Sequence, residues 1–168
     1  RVTDRPAASH SPLKFVNPPV GWMFQEGARR LLDAGVHIPG MHGGDARRIA
    51  LEAYPGWLAR SIVAGSYKSE AATGQTRERL ANRMLLVEAL LRGQHPLGVP
   101  LCCDDAPLLE AMTTDGTGDT LDCVLCLVEA AWAWMRRDAG YGLPLHIDPV
   151  EGWIVGVTAS ERVAVTTH

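Results

Sequence analysis

Residues 119–137 read DTLDCVLCLVEAAWAWMRR, and this stretch decides the fold. It is apolar around most of a helical circumference, which predicts a long helix buried in the centre of a domain. It follows the clearest turn in the chain, TTDGTG at residues 113–118, and we expect it to end at Gly140 and Gly142. A helix buried on most sides needs other elements around it, so the rest of the chain must supply them.

Several further helices are predicted upstream of this stretch. The first covers residues 20–34, with an apolar stripe made of Met23, Ala28, Leu31 and Leu32. Pro55 suits the first turn of a short helix. Thr76 can cap the next helix, which Gly93 ends, and Asp105 can cap another. These signals are local, so each one predicts where a helix begins or ends.

Two apolar runs bounded by turn residues predict strands. They are residues 49–54, within RRIALEAYP, and residues 151–155, within EGWIVGVTA. A two-stranded sheet is marginal by itself, and helices separate these two strands, so they imply a larger and partly parallel sheet. The simplest resolution is that further strands precede Arg1. We therefore expect an α/β fold, a mixed sheet flanked by helices, whose N-terminal strands are missing from this chain.

The domain organisation follows from composition along the chain. Residues 1–19 are polar, rich in proline and serine, and without a period, which predicts a linker or irregular segment. One domain is expected over residues 20–158, with a tail over residues 159–168. A chain of 168 residues is long enough for one domain with a proper core.

Charge and hydropathy narrow the class of partner. The net charge is −3, which counts against a protein whose main task is to hold nucleic acid. It does not exclude an enzyme that touches a few phosphates. No apolar run approaches the roughly 20 residues that a membrane helix needs, so no membrane partner is expected. The oligomeric state stays open.

The four cysteines predict neither a zinc site nor an intrachain disulfide. They occur as the adjacent pair Cys102 and Cys103 and as Cys123 and Cys126 on the predicted helix. Zinc sites need two matched C-x-x-C spacings, and the adjacent pair supplies no second one. Free cysteines as small buried hydrophobes predict a reducing, cytoplasmic location.

Three carboxylates form the first candidate site. Glu52 falls within an apolar run, where a charge is costly to bury unless it is paired or bound to a cation. Asp119 and Asp122 are three residues apart and share a helix face. Oxygen ligands suit Mg²⁺ or Mn²⁺, so these three residues are predicted metal ligands and catalytic groups. In the alternative interpretation Asp119 caps the helix, Asp122 interacts with its dipole, and Glu52 lies on an exposed edge strand.

Three basic residues are candidates for binding phosphate. Lys68 lies upstream of the helix that Thr76 caps, and Arg79 and Arg83 share a face of that helix. Lysine and arginine make most protein contacts to phosphates. The alternative interpretation is an ordinary solvated helix face.

Three motifs together resemble one known family. They are Glu52-Ala53-Tyr54-Pro55, Asp119-x-x-Asp122 and Glu151-Gly152-Trp153-Ile154. Over residues 12–154 the chain resembles the predicted ribonuclease H-like nucleases catalogued as domain of unknown function 429. The resemblance implies a five-stranded mixed sheet with carboxylates on its first strand, a middle strand and the last long helix. Glu52 then matches the middle strand, and Asp119 and Asp122 match the helix pair.

The resemblance also implies that this chain lacks the first-strand aspartate, and therefore that it is inactive by itself. The leading hypothesis is a metal-dependent nuclease that hydrolyses phosphodiesters. The first alternative is a non-catalytic binding or assembly module that retains the fold. The second is phosphate-transfer chemistry on a small molecule, because one fold hosts several activities.

Overall fold

The computed structural model describes residues 1–11 and 18–158, which form two units. The first unit combines Arg1–Glu52 with Asp138–His168, and the second is Ala53–Arg137. The described residues form a mixed α/β structure of five α-helices and a two-stranded parallel sheet. The coarse α/β prediction is therefore confirmed, while the five-stranded ribonuclease H-like sheet stays a prediction.

The second unit is helical. It contains α2 (Pro55–Arg60), α3 (Arg77–Arg92), α4 (Ala106–Thr114) and α5 (Asp119–Trp134). Helices α2 and α4 both pack on α5, and α3 packs on α4. The fully buried side chains of this core are Leu58, Leu86, Leu90, Met112, Leu121 and Leu125. These neighbours cover one face of α5, whereas Leu127 and Trp134 on its other side are each 59% exposed, so the predicted burial on most sides is only partly confirmed.

The predicted helix boundaries of the second unit are confirmed where a local signal sets them. Thr76 Oγ1 accepts the backbone N–H of Arg79 at 3.2 Å and begins α3. Gly93, with φ of 65°, ends α3 in the left-handed region that favours glycine. Asp105 Oδ1 accepts the N–H of Leu108 at 3.0 Å and begins α4.

The C-terminal end of α5 differs from the prediction. The helix ends at Trp134, not at Gly140 and Gly142. Arg137 donates to the carbonyl of Trp134 at 3.1 Å, which satisfies one of the carbonyls that a helix end leaves unpaired. The chain then continues through an irregular turn at Arg137–Gly142, in which Gly140 and Tyr141 have positive φ angles of 66° and 61°.

The first unit contains α1 (Pro18–Asp33), β1 (Val36–His37) and β2 (Asp45–Ile49). The two strands pair in parallel, with Val36 opposite Asp45 and His37 opposite Ile49. The predicted strand at 49–54 is wrong in position, because β2 ends where that run begins. The sequence of β2, DARRI, is mostly polar, so a pattern of apolar residues does not predict this strand.

Glu52 and Ile154 are joined by a single parallel bridge outside the strands. The backbone N–H of Val155 donates to the carbonyl of Glu52 at 2.9 Å. The predicted strand at 151–155 is therefore reduced to one bridging residue. Glu52 therefore lies in extended backbone and not in a helix, as the fold prediction requires.

The opening residues form consecutive turns that pack within the first unit. Thr3 is buried, and its Oγ1 accepts the N–H of Ile154 at 3.2 Å. Asp4 accepts hydrogen bonds from Arg1 and from Ser9. Part of the predicted linker over residues 1–19 lies outside the described residues. The predicted tail over residues 159–168 lies outside them entirely.

Candidate functional site

Helix α5 carries a polar stripe that crosses its buried face. Asp122, Cys126 and Glu129 follow each other at spacings of four and three residues, so their side chains lie above one another. Asp119 precedes Asp122 by one helical turn. The stripe contains all three carboxylates of α5, including the two aspartates predicted from sequence.

Asp122 is held by two donors from the segment between α2 and α3. Tyr67 Oη donates to Asp122 Oδ1, and Lys68 Nζ donates to Asp122 Oδ2 at 2.5 Å. Burial, followed by this hydrogen bond to Asp122, raises the pKa of Tyr67, so the phenol stays protonated and keeps donating. Two donors on two oxygens fix the carboxylate in one orientation.

Gly118 allows the close approach that this arrangement needs. A Cβ on Gly118 would lie 2.8 Å from Cβ of Lys68, which is too short for a real contact. Its φ of 79° also lies in the region that favours glycine. A glycine directly before α5 therefore brings the backbone of the Lys68 segment against the start of the helix.

Asp119 is exposed and does not cap α5. Gly118 occupies the capping position, and Asp115 in the preceding turn supplies the hydrogen bonds instead. Its Oδ2 accepts the N–H of Thr120 at 2.9 Å, and its Oδ1 accepts the hydroxyl of Thr117 at 2.6 Å. Hydrogen bonds from Thr117 and Thr120 hold the pKa of Asp115 well below its usual range. The capping interpretation of Asp119 is wrong, which leaves its carboxylate exposed to solvent.

Glu129 is a site residue that the sequence predictions missed. Its side chain is 0% exposed, and Oε2 accepts the backbone N–H of Tyr54 at 2.9 Å. Among the described residues, Oε1 has no hydrogen-bond partner. Burial raises the pKa of Glu129 to about 7, although the N–H of Tyr54 acts in the opposite direction. A single acidic residue inside the apolar run LVEAAWAW was the signal that could have identified it.

Cys126 lies between Asp122 and Glu129 along the stripe. Burial raises its pKa to about 11, and the charges of Glu129 and Asp122 add to the shift. A thiol in this state is a poor nucleophile and a poor metal ligand. All four cysteines are free. Cys102 and Cys123 are exposed and Cys103 and Cys126 are partly exposed, so the prediction that they are buried is wrong.

Two of the three predicted phosphate-binding residues bond to the backbone. Arg83 is buried and donates to the carbonyls of Thr113 and Tyr67, both at 2.7 Å. Arg79 donates to the carbonyl of Gly74. Lys68 differs, because its partly exposed ammonium group contacts a carboxylate. Lys68 is therefore the basic residue that the structure brings to the stripe.

Glu52 belongs to the first unit, whereas Asp119 and Asp122 belong to the second. Within its own unit, Glu52 accepts two hydrogen bonds of 2.7 Å from the guanidinium of Arg1. The described residues contain no group of three or more His, Cys, Asp or Glu side chains that could hold a metal ion. The prediction that Glu52 shares a cation with the two aspartates stays a prediction.

No family model, curated protein or solved structure matches the chain. Across the described part of the chain, none of the helices has the length and apolar character needed to cross a membrane.

Proposed function

We propose that the protein is a metal-dependent phosphodiesterase acting on nucleic acid, in which Asp119 and Asp122 bind Mg²⁺ or Mn²⁺ and Lys68 holds a phosphate. The observation that carries this proposal is the contact of Lys68 with Asp122 at 2.5 Å, one helical turn from the exposed Asp119. An ammonium group beside two carboxylates provides one binding group for a phosphate and two for a cation.

The donor chemistry of the two aspartates fits such an ion. Mg²⁺ prefers oxygen ligands and is commonly held by one or two carboxylates, with water and substrate phosphates completing its shell. Each carboxylate oxygen can accept two hydrogen bonds, so Asp122 keeps acceptor capacity beside Tyr67 and Lys68. When bound, such an ion supplies a water of lowered pKa and offsets charge on the phosphate.

The start of α5 favours the phosphate of the proposed substrate electrostatically. The first turn of a helix carries a positive partial charge, and anionic groups are stabilised there. Asp119 and Asp122 both lie in the first turn of α5. The buried Tyr67 holds Asp122 in place, so this carboxylate loses little freedom when it binds a cation.

The test combines metal binding with hydrolysis. In the full-length protein, millimolar Mn²⁺ is expected to raise the melting temperature and to support cleavage of fluorescently labelled single- and double-stranded oligonucleotides. Asp122→Asn should abolish both effects, while Glu70→Gln, an exposed carboxylate elsewhere in the unit, should leave them intact. Glu52→Gln tests separately whether the remaining predicted ligand takes part.

Lys68→Met is the matched control for structural damage. Like Asp122→Asn, this substitution removes the ion pair between Lys68 and Asp122, but it leaves every carboxylate ligand in place. We expect Lys68→Met to keep the Mn²⁺ effect on the melting temperature and to lose cleavage. If Lys68→Met and Asp122→Asn lose the metal effect equally, Asp122 has only a structural role.

A non-catalytic binding or assembly module is the second candidate function. It is favoured by the paired hydrogen bonds from Arg1, which neutralise the carboxylate of Glu52 within the first unit. The acidic net charge of −3 agrees with it. A wild-type melting temperature that ignores millimolar Mn²⁺, together with no cleavage of any oligonucleotide, would favour the module over the enzyme.

A further inference from the structure

The ammonium group of Lys68 covers the carboxylate that is proposed to bind the divalent cation. Its Nζ lies 2.5 Å from Asp122 Oδ2, and Tyr67 Oη donates to Oδ1, so each oxygen of Asp122 has one donor. An ammonium group and a divalent cation are attracted to the same lone pairs of a carboxylate. Since both are positive, they repel each other when they share one oxygen. Lys68 and a cation therefore compete for Asp122.

The two donors to Asp122 differ in how freely they can move. Tyr67 belongs to the hydrophobic core of its unit and is only 7% exposed. The side chain of Lys68, in contrast, is 42% exposed. Release of the phenol would require part of the core to open, whereas release of the ammonium group only brings it further into water. Tyr67 is thus the fixed partner of the carboxylate, and Lys68 is the exchangeable one.

The backbone on both sides of Lys68 is held without the help of the ion pair. Arg83 donates to the carbonyl of Tyr67 at 2.7 Å. The backbone N–H of Ser69 donates to the carbonyl of Gly116 at 3.0 Å. Ion pairs between partly exposed side chains contribute little to stability. The fold of this segment therefore does not depend on the ion pair, which is free to exchange.

Only the end of the Lys68 side chain has room to move. A Cβ added to Gly118 would lie 2.8 Å from Cβ of Lys68 and 3.0 Å from its Cδ, so the stem of the lysine lies against the start of α5. Rotation about the last bonds of the stem moves the ammonium group away from Asp122 while the backbone stays in place. The ring of Tyr67, whose centroid is 5.7 Å from Nζ, offers the displaced ammonium group a second favourable contact.

We propose that Lys68 neutralises Asp122 in the metal-free protein and leaves Oδ2 when a divalent cation binds, so that its ammonium group becomes available to a substrate phosphate. This inference rests on the proposed function, because it assigns the regulation of the same site. The exchange lowers the affinity of the free protein for the cation, since the ion pair must first be broken.

Electron paramagnetic resonance of free Mn²⁺ measures this affinity in the full-length protein. Lys68→Met should bind Mn²⁺ about fivefold more tightly than the wild type, which is the upper end for the loss of a partly exposed ion pair. Arg92→Met is the matched control, because it removes the same charge and breaks an exposed ion pair with Glu88 at the other end of α3. It should bind Mn²⁺ like the wild type.

Amine labelling measures the displacement itself and needs no activity. The chain contains one other lysine, Lys14, so peptide mass spectrometry assigns each label. Acetylation of Lys68 by N-hydroxysulfosuccinimidyl acetate should be slow without metal, because the ion pair with Asp122 holds the amine in its protonated form. It should become severalfold faster when millimolar Mn²⁺ replaces potassium chloride of equal ionic strength. In Asp122→Asn, Lys68 should react fast in both solutions.

The outcomes separate the exchange from the proposed function. Unchanged labelling of Lys68 in a wild type that binds Mn²⁺ would overturn the exchange and leave the proposed metal site intact. Equal or weaker Mn²⁺ binding by Lys68→Met would overturn it too, since the lysine would then not compete for the carboxylate. If neither the wild type nor Lys68→Met binds Mn²⁺, the proposed metal function fails, and the exchange fails with it.

Discussion

Replacement of the buried Glu129 by glutamine should remove a specific pH dependence of stability. Burial raises the pKa of Glu129 from its ordinary 4.5 to about 7 in the folded protein. The unfolded chain therefore releases this proton at lower pH than the folded chain does. Between about pH 4.5 and 7 the free energy of unfolding falls as pH rises, and the loss is complete above that range. At 1.36 kcal/mol per pKa unit, the shift corresponds to roughly 3 kcal/mol.

Glutamine has nearly the same shape, stays neutral, and keeps an oxygen that can accept the N–H of Tyr54. Glu129→Gln should thus be close to the wild type near pH 4.5 and more stable than it near pH 8, by up to about 3 kcal/mol. Urea denaturation across this pH range, followed by circular dichroism, measures the difference. The exposed Glu110→Gln is the control and should follow the wild type. Equal pH slopes for Glu129→Gln and the wild type would refute the reasoning.

Two further predictions concern the start and the core of α5. Asp115→Ala should cost about 1–2 kcal/mol near neutral pH, because it removes the hydrogen bonds to Thr117 and Thr120. These hydrogen bonds lower the pKa of Asp115 in the folded protein, so the stability that they contribute is lost at low pH. The cost of Asp115→Ala should therefore shrink as pH falls through the range in which the carboxyl of the unfolded chain becomes protonated. An unchanged cost at pH 2 would contradict this. Leu125→Ala should cost about 2–5 kcal/mol in urea denaturation, since this side chain is fully buried, whereas Leu127→Ala on the exposed side should cost far less.

The sequence by itself determined the helices whose ends depend on near neighbours. The hydrogen bond of Thr76 reaches three residues along the chain, as does that of Asp105. Gly93 ends α3 through its own backbone conformation. Such interactions need no partner from elsewhere, so residue type and spacing were sufficient to predict them. The start of α5 was harder, because the sequence indicated Asp119 as the cap, whereas Asp115 in the preceding turn makes the hydrogen bonds.

Periodicity did not determine what each apolar stripe contacts. The pattern of α5 predicted burial on most sides, yet only one face is buried and Leu127 is 59% exposed, while Met23 and Leu32 of the α1 stripe face solvent. A helical period reports which residues share a face, and it contains no information about what covers that face. That information belongs to the elements packed around each helix.

Only the tertiary structure decided the pairings between distant segments. Glu52 bridges to Ile154, and Glu129 binds the backbone of Tyr54, although each pair is separated by many residues in sequence. Lys68 likewise contacts Asp122 because Gly118 permits the close approach. These contacts depend on how the chain closes long loops, a balance of entropy and packing over the whole unit that no local pattern records.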